Sequence, residues 1–338
     1  MKKNIDWSRL GFHYTETDTI VRSHYKDGRW SKPYLTQDKT INLHLSATCL
    51  HYGQEAFEGL KAFRGADGKI RIFRMNANAE RLWQSAIGLA MAPVPTSLFR
   101  EAVLLALSGN IDYLPPYETG ATLYFRPLLI GTSPRLGVGT AQEYEFVIIP
   151  SPIGAYFKDG FRGTPFIIDR TVDRAAPLGT GRYKVGGNYA ASFRATEPAH
   201  KQGLSVIFVD SVHRKYIDEC GAANFFGMKD GVYITPASTS ILPSITNDSL
   251  MTLCKEVGIP VERRPILVEE LGDMSECGAV GTAAVIAPIS LVIDPDTGRT
   301  YTFGEEPGQV SKLLYKLLQD IQYGRSEDKH GWCDVLDN

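Results

Sequence analysis

Four stretches of the 338-residue chain carry residue types that could do chemistry. The densest runs Gly179-Thr180-Gly181-Arg182-Tyr183-Lys184-Val185-Gly186-Gly187-Asn188-Tyr189. A nucleotide P-loop would follow its lysine with Ser or Thr, and a dinucleotide fingerprint would need glycine where Lys184 stands, so both nucleotide readings fail on spacing. What remains is one lysine in tight backbone near an aromatic hydroxyl. That suits a Schiff-base lysine, whose amine must be desolvated enough to be neutral near pH 7. A solvated lysine on a glycine loop would leave the same pattern. The second stretch, Ile241 to Asn247, directly precedes a helical pattern, where exposed N–H groups can take an anion and Thr246 adds a hydroxyl; an ordinary capped helix is the other account. The third is Val280-Gly281-Thr282-Ala283-Ala284, whose small side chains would let backbone amides approach a phosphate or carboxylate, or simply pack a strand end. The fourth places Glu219 among apolar strand residues from Ile217 to Phe226, where burial is costly unless the acid is paired. A pyridinium nitrogen would serve as partner, and so would an arginine. Together a lysine, a buried glutamate and two anion cups are the parts that hold pyridoxal phosphate.

These residues need elements to position them. The first half predicts strands at Gly59–Phe63, Ile70–Phe73, Thr122–Ile130 and Glu145–Pro150, with helices over Asn76–Met91 and Ser97–Ile111. A Gly-, Pro- and charge-rich stretch around Ala155–Pro177 reads as an interdomain connection. The second half is strand-rich: Leu204–Val209, Lys215–Asp218, Ala222–Met228, Val232–Thr235, Pro260–Pro265, Gly278–Ala284 and Ile289–Ile293. Helices are expected over Asn247–Val257 and over Gly308–Tyr323, where Val310, Leu313, Leu314, Leu317, Leu318 and Ile321 make one apolar stripe. The pattern predicts an α+β protein: a small N-terminal α+β domain over 1–155, a loop over 156–176, and a larger strand-rich pseudobarrel domain over 177–338.

Composition narrows the function. With 36 basic against 38 acidic residues, there is no electrostatic footprint for nucleic acid and no polybasic membrane face. No apolar run reaches the ~20 residues of a membrane span, and no h-region follows the basic N-terminus. Five scattered cysteines without a CxxC pair read as reduced thiols in a cytoplasmic protein. His44 and His51 lack an HExxH frame, so no metal site is expected.

The ordered motifs resemble the branched-chain amino-acid aminotransferases, within the fold-type IV class of pyridoxal-phosphate enzymes. The likeness is collinear over nearly the whole chain. It runs through Tyr52-Gly53, Phe57-Glu58-Gly59-Leu60-Lys61, Arg71-Ile72-Phe73-Arg74, Tyr124-Phe125-Arg126-Pro127, Gly154-Ala155-Tyr156-Phe157, Lys184 through Tyr189, Glu219 through Phe226, Leu242-Pro243, Gly281-Thr282-Ala283 and Ile321-Gln322-Tyr323-Gly324. The resemblance implies that Lys184 bonds the cofactor and afterwards carries the proton as acid and base. It implies Glu219 on the protonated ring nitrogen and Tyr189 on the phenolic oxygen. Arg74, the Ile245 and Thr246 amides and Thr282 would hold the phosphate, and the Thr282 and Ala283 backbone would receive the substrate α-carboxylate. Phe57, Tyr124 and Tyr156 would wall an aromatic pocket, with Tyr52 supplied across a dimer interface. Arg126 would bind the distal carboxylate of glutamate.

The implied reaction is reversible amino transfer between L-leucine, L-isoleucine or L-valine and 2-oxoglutarate, in a homodimer or higher homo-oligomer. A D-amino-acid transaminase or a pyridoxal-phosphate lyase of the same fold, and a non-catalytic cofactor-binding protein, are the alternatives. Two departures stand out. Ala222 replaces a threonine common in relatives, and the segment Ala284-Val285-Ile286-Ala287 lacks the CxxC that vertebrate relatives carry, so no thiol switch is expected there.

Overall fold

In the computed structural model, which describes residues 5–157 and 160–337, the chain divides into two units. One comprises Met1–Tyr156, Tyr183–Gly186 and Asp320–Asn338; the other Phe157–Arg182 and Gly187–Gln319.

The first unit is built on strands β1 (Ile20–Lys26), β2 (Arg29–Trp30), β3 (Tyr34–Thr36), β4 (Glu55–Phe57), β5 (Leu60–Arg64), β6 (Ile70–Phe73), β7 (Thr122–Gly131) and β8 (Tyr144–Ile153). Their main order is β6-β5-β7-β8-β1-β2, and the C-terminal strand Cys333–Leu336 is added beyond β6. The long pair β7 and β8 is antiparallel from Thr122↔Ile153 to Gly131↔Tyr144. Strand alternation sends Leu123, Phe125 and Leu129 to a core shared with helices α2 (Met75–Gly88) and α3 (Thr96–Ser108). Tyr124 and Arg126 therefore face the other side. In the core, α2 supplies Met75, Ala79, Leu82 and Ala86, spaced at helical intervals. Helix α1 spans Thr48–Tyr52, α2 Met75–Gly88 and α3 Thr96–Ser108, so both expected N-terminal helices form, a few residues shorter at their C-termini. The C-terminal strand had no periodicity to announce it; its Asp334 is held by Arg100 at 2.6 Å.

The second unit contains β9 (Thr164–Asp169), β10 (Ser205–Val209), β11 (Ile217–Cys220), β12 (Ala223–Lys229), β13 (Val232–Pro236), β14 (Val261–Arg264), β15 (Glu276–Gly281), β16 (Val285–Asp294) and β17 (Arg299–Thr302). The path β11-β10-β9-β16-β15-β12 closes on itself through the β11–β12 pairing, giving a six-strand barrel. This is the expected pseudobarrel. Its core includes Phe166, Ile207, Phe225, Ile266 and Val292. Helix α5 covers Ile245–Glu256 and α6 Gln309–Gln322, where Leu314 and Leu318 are fully buried.

Two expectations are corrected. The segment read as an interdomain loop over 156–176 contains β9, a barrel strand paired in parallel with both β10 and β16. Its six residues are flanked by glycine, proline and charge, which hid a short strand whose partners lie far along the chain. The 15-residue helix α4, Gly186–His200, was not expected at all. Pro198 and a mostly polar surface mask it; Ala195 and Ala199, one turn apart, make its apolar contact with Val206 and Phe208.

Candidate active site

In the first unit the backbone around Lys184 is clamped on both sides. The Lys184 N–H donates to Ser85 Oγ on α2 at 3.1 Å, and its carbonyl accepts the Phe57 N–H at 3.0 Å. Val185 is buried in the helix–sheet core. The Gly186 N–H donates to Glu55, whose carboxylate packs closely against the Gly186 Cα. The half-buried Glu55 carboxyl is pushed up by burial, an effect its bond from Gly186 opposes. With its backbone fixed, Lys184 extends its amine over the Phe57 ring, 4.8 Å from the centroid. Arg126 also lies over that ring, its Cζ 4.9 Å from the Phe57 centroid and 5.4 Å from that of Tyr124. Arg126 Nε and Nη2 donate to the Tyr124 hydroxyl at 3.2 and 3.1 Å. Lys184, Phe57, Tyr124 and Arg126 are thus one cluster. The Tyr124–Arg126 side opens on a cavity of about 510 Å³ lined by β7 and β8 residues such as Leu128, Val147 and Ile149, and by the charged Glu16, Arg22, Lys39 and Glu145.

Tyr52, Tyr156 and Arg74 are the other residues expected in this unit. Tyr52 closes α1 and donates its hydroxyl to the Leu136 carbonyl. Tyr156 is 52% exposed. Arg74 is the residue before α2, in the left-handed region at φ 54°, with its guanidinium 5.3 Å over the Trp332 ring. Along the helix it is roughly 16 Å from Ser85, the residue that holds Lys184. Arg81 is one turn from Ser85. It grips the fully buried Glu58 in a bidentate pair at 2.7 and 2.8 Å, and Glu58 follows Phe57 directly. Sequence reasoning passed over Arg81 and Glu58; the signal was an acid set between the apolar strand residues Phe57 and Leu60, which burial obliges to find a cation.

In the second unit, Glu219 on β11 is 4% exposed and pairs across strands with Asn224. Between them Gly221 takes a positive φ of 58° and Ala222 does not, the arrangement of a two-residue hairpin turn with glycine first. Glu219 Oε1 accepts the Leu242 N–H at 2.6 Å, and Asn224 Nδ2 donates to the Leu242 carbonyl at 3.0 Å. Leu242 is pinned through both its backbone groups, and that fixes the approach to α5. Ser244 caps this helix by accepting the Asn247 N–H at 3.1 Å. The first N–H groups of a helix, here those of Ile245 and Thr246, have no acceptor within it. Thr282 and Ala283, both half-buried, lie in the three-residue loop between β15 and β16. Val285 closes that loop at φ 65°, a left-handed conformation that strains a β-branched residue and that no sequence pattern announces. Beside it, a Cβ on Gly281 would meet only the Cβ of Ala223 at 3.8 Å, so this backbone is open to a ligand. Tyr189 is half-buried in the first turn of α4.

Asp218, next to Glu219, is pushed up to about 6 by burial, which outweighs a bond from Ser238 and the field of Arg174. Between pH 4 and 6 the folded chain keeps a proton that the unfolded chain has released. Stability therefore falls as pH rises through that window, by roughly 3 kcal/mol, and the deficit persists above it. Asp218→Asn is expected to raise the melting temperature at pH 7.5 and to lose that advantage near pH 4. An equal gain at both pH values in thermal melts would refute the assignment.

A lysine, a buried carboxylate and helix and loop amides are the kinds of group with which pyridoxal-phosphate enzymes hold their cofactor. The family model for the class IV amino-transferases matches residues 55–292, and the chain belongs to that family. The branched-chain-amino-acid aminotransferase of Haemophilus influenzae is 46% identical over 340 residues, covering 98% of both chains. That of Helicobacter pylori is 46% identical over 334 residues, covering 98% of this chain and 97% of its own. Among solved structures, the branched-chain amino acid aminotransferase from Escherichia coli superposes with a TM-score of 0.76 at 27% identity, over 94% of this chain and 99% of that one.

Proposed function

We propose that the chain catalyses reversible amino transfer between L-leucine, L-isoleucine or L-valine and 2-oxoglutarate, giving branched 2-oxo acids and L-glutamate. The observation that carries this is the Lys184–Phe57–Arg126–Tyr124 cluster. One pocket must accept an aliphatic side chain in one half-reaction and a distal carboxylate in the other. Two aromatic faces suit the first, and a guanidinium folded back onto those faces suits the second. The full-length identity to enzymes of this name supports the same reading.

Pyridoxal phosphate supplies, when bound, an aldehyde that takes up the amino group and a ring that accepts the electron pair left on the substrate Cα. Lys184 would hold that aldehyde through its Nζ and, as acid and base, would carry the proton between the substrate Cα and the aldehyde carbon. Glu219 would hold the ring nitrogen protonated and Tyr189 would meet the phenolic oxygen. The Ile245 and Thr246 amides and Thr282 would take the phosphate, and the Thr282 and Ala283 backbone would orient the substrate α-carboxylate. Arg74 was expected on the phosphate; its stacking on Trp332, about three turns of α2 from Ser85, favours Arg81 as the arginine on that group. Phe57, Tyr124 and Tyr156 line the side-chain pocket.

Arg126→Met is expected to raise the KM for 2-oxoglutarate roughly 10- to 100-fold, as loss of a charge-assisted contact predicts, and to leave the L-leucine half-reaction little changed. Equal losses in both half-reactions, measured by single-turnover absorbance, would remove the dual-pocket reading. A panel of kcat/KM values for L-leucine, L-isoleucine, L-valine, L-glutamate and a D-amino acid tests the function itself. Turnover of the D-amino acid alone would overturn it.

A homodimer in the cytoplasm belongs to the same proposal. Tyr52 and Leu136 are linked by a hydrogen bond, His51 and Leu45 by another, and around them Leu45, Leu50, Leu136 and Val138 are 85%, 59%, 84% and 86% exposed. Such an apolar patch suits cover by a second copy. A strictly monomeric mass in sedimentation equilibrium would exclude it. All five cysteines are unpaired by disulfides, which suits a reducing compartment, and no described helix is long and apolar enough to cross a membrane.

A further inference from the structure

Arg174 has no role in the reaction described so far, yet it is buried at 8% exposure in the second unit among three segments. Its Nη2 donates to the carbonyl of Ser240 and, at 3.4 Å, to that of Gly181. A Cβ at Gly181 would collide with the Ser240 carbonyl oxygen, so those two backbones are in close contact and the guanidinium ties them together. Its Nε lies 3.3 Å from Glu219 Oε2, with no hydrogen bond formed by that Nε. Arg174 therefore lends Glu219 a positive charge at ion-pair distance. The other Glu219 oxygen is already fixed by the Leu242 amide.

A carboxylate this deeply buried holds its charge only if cations and donors compensate it. When such a carboxylate meets a basic ring nitrogen, one proton is shared between two sites. A guanidinium beside the carboxylate favours its charged form and so drives the proton onto the nitrogen. The neighbouring Asp218 is also near Arg174 but has no ion-pair contact with it, and burial dominates there.

We propose that Arg174 is a positioning residue that holds Glu219 as a charged, fixed acceptor for the cofactor's ring nitrogen, and so sets where the shared proton resides. The inference rests on the reading that Glu219 meets that nitrogen. It predicts that Arg174 matters to the cofactor only through the nitrogen.

The test is reconstitution of the apoprotein with pyridoxal phosphate and with its 1-deaza analogue, which has carbon in place of the ring nitrogen. Binding is followed by quenching of tryptophan fluorescence. Arg174→Met is expected to weaken pyridoxal phosphate about a hundredfold, the scale for leaving a buried charge without its partner, and to change binding of the deaza analogue little. Arg174→Lys, which keeps the charge, should recover part of the loss, and it carries the comparison if the methionine variant does not fold. The ring-nitrogen chemical shift of ¹⁵N-labelled cofactor should move toward the unprotonated value in Arg174→Met. Equal weakening of both cofactors would mean that Arg174 only braces the fold, and would overturn the inference. Glu219→Gln separates the two readings. If it discriminates between the cofactors and Arg174→Met does not, the Arg174 inference fails alone; if neither does, the Glu219 role fails with it.

Discussion

Lys184→Ala is expected to abolish the visible absorbance of lysine-bound cofactor and to lower turnover by at least about 10⁴-fold. The loss is large because one amine has two tasks. It bonds the cofactor, and it carries the proton at the substrate Cα, where a positioned acid–base group alone is worth ~10²–10⁴. The substitution should leave the fold intact. Two contacts that hold residue 184 are backbone contacts, its N–H to Ser85 and its carbonyl from Phe57, and alanine keeps both. Circular dichroism should match the parent, and a small primary amine added to the solution should restore part of the turnover. Survival of both the absorbance and the turnover would show that another group is the nucleophile.

The second large effect falls on stability. Glu58 is fully buried and holds Arg81 through two short hydrogen bonds, with a third from the Gly59 N–H at 3.2 Å. Glu58→Ala leaves the guanidinium, whose side chain is 12% exposed, without its counter-charge. Breaking a buried pair from one side costs about 3–5 kcal/mol. The double variant Glu58→Ala/Arg81→Met should recover much of that loss, because the stranded charge is gone. Denaturant unfolding measures both. Additive effects of the two substitutions, or a loss under about 1 kcal/mol for Glu58→Ala, would show that water reaches the pair. Cofactor affinity should fall in both variants if Arg81 is the phosphate arginine, and in neither if Arg74 is.

The sequence was legible where local chemistry decides structure. Met75, Ala79, Leu82 and Ala86 mark α2 by spacing alone, and a strand over Thr122–Ile130 sends Leu123 and Tyr124 to opposite faces. The ordered motifs carried the family, the barrel and the cofactor. It was less legible where stability comes from distant partners. Strand β9 is short and paired on both sides by strands remote in the chain, and α4 carries a proline and little apolar surface of its own. Neither has enough local signal to stand out from a loop.

The same division runs through the site. By itself the sequence determined which groups are available: an amine in a glycine-rich segment, an acid entering a strand, a Ser-capped helix start and a small-residue loop. Those follow from residue type and neighbours in the chain. Only the tertiary structure decided what each group is held by. Lys184 rests on Ser85 across 99 positions, Glu58 takes Arg81 rather than Arg74, and Arg174 is set beside Glu219. The physical reason is burial. A buried charge or polar backbone group must find a partner among whatever the packing brings near, and packing is a property of the folded chain that residue spacing does not encode.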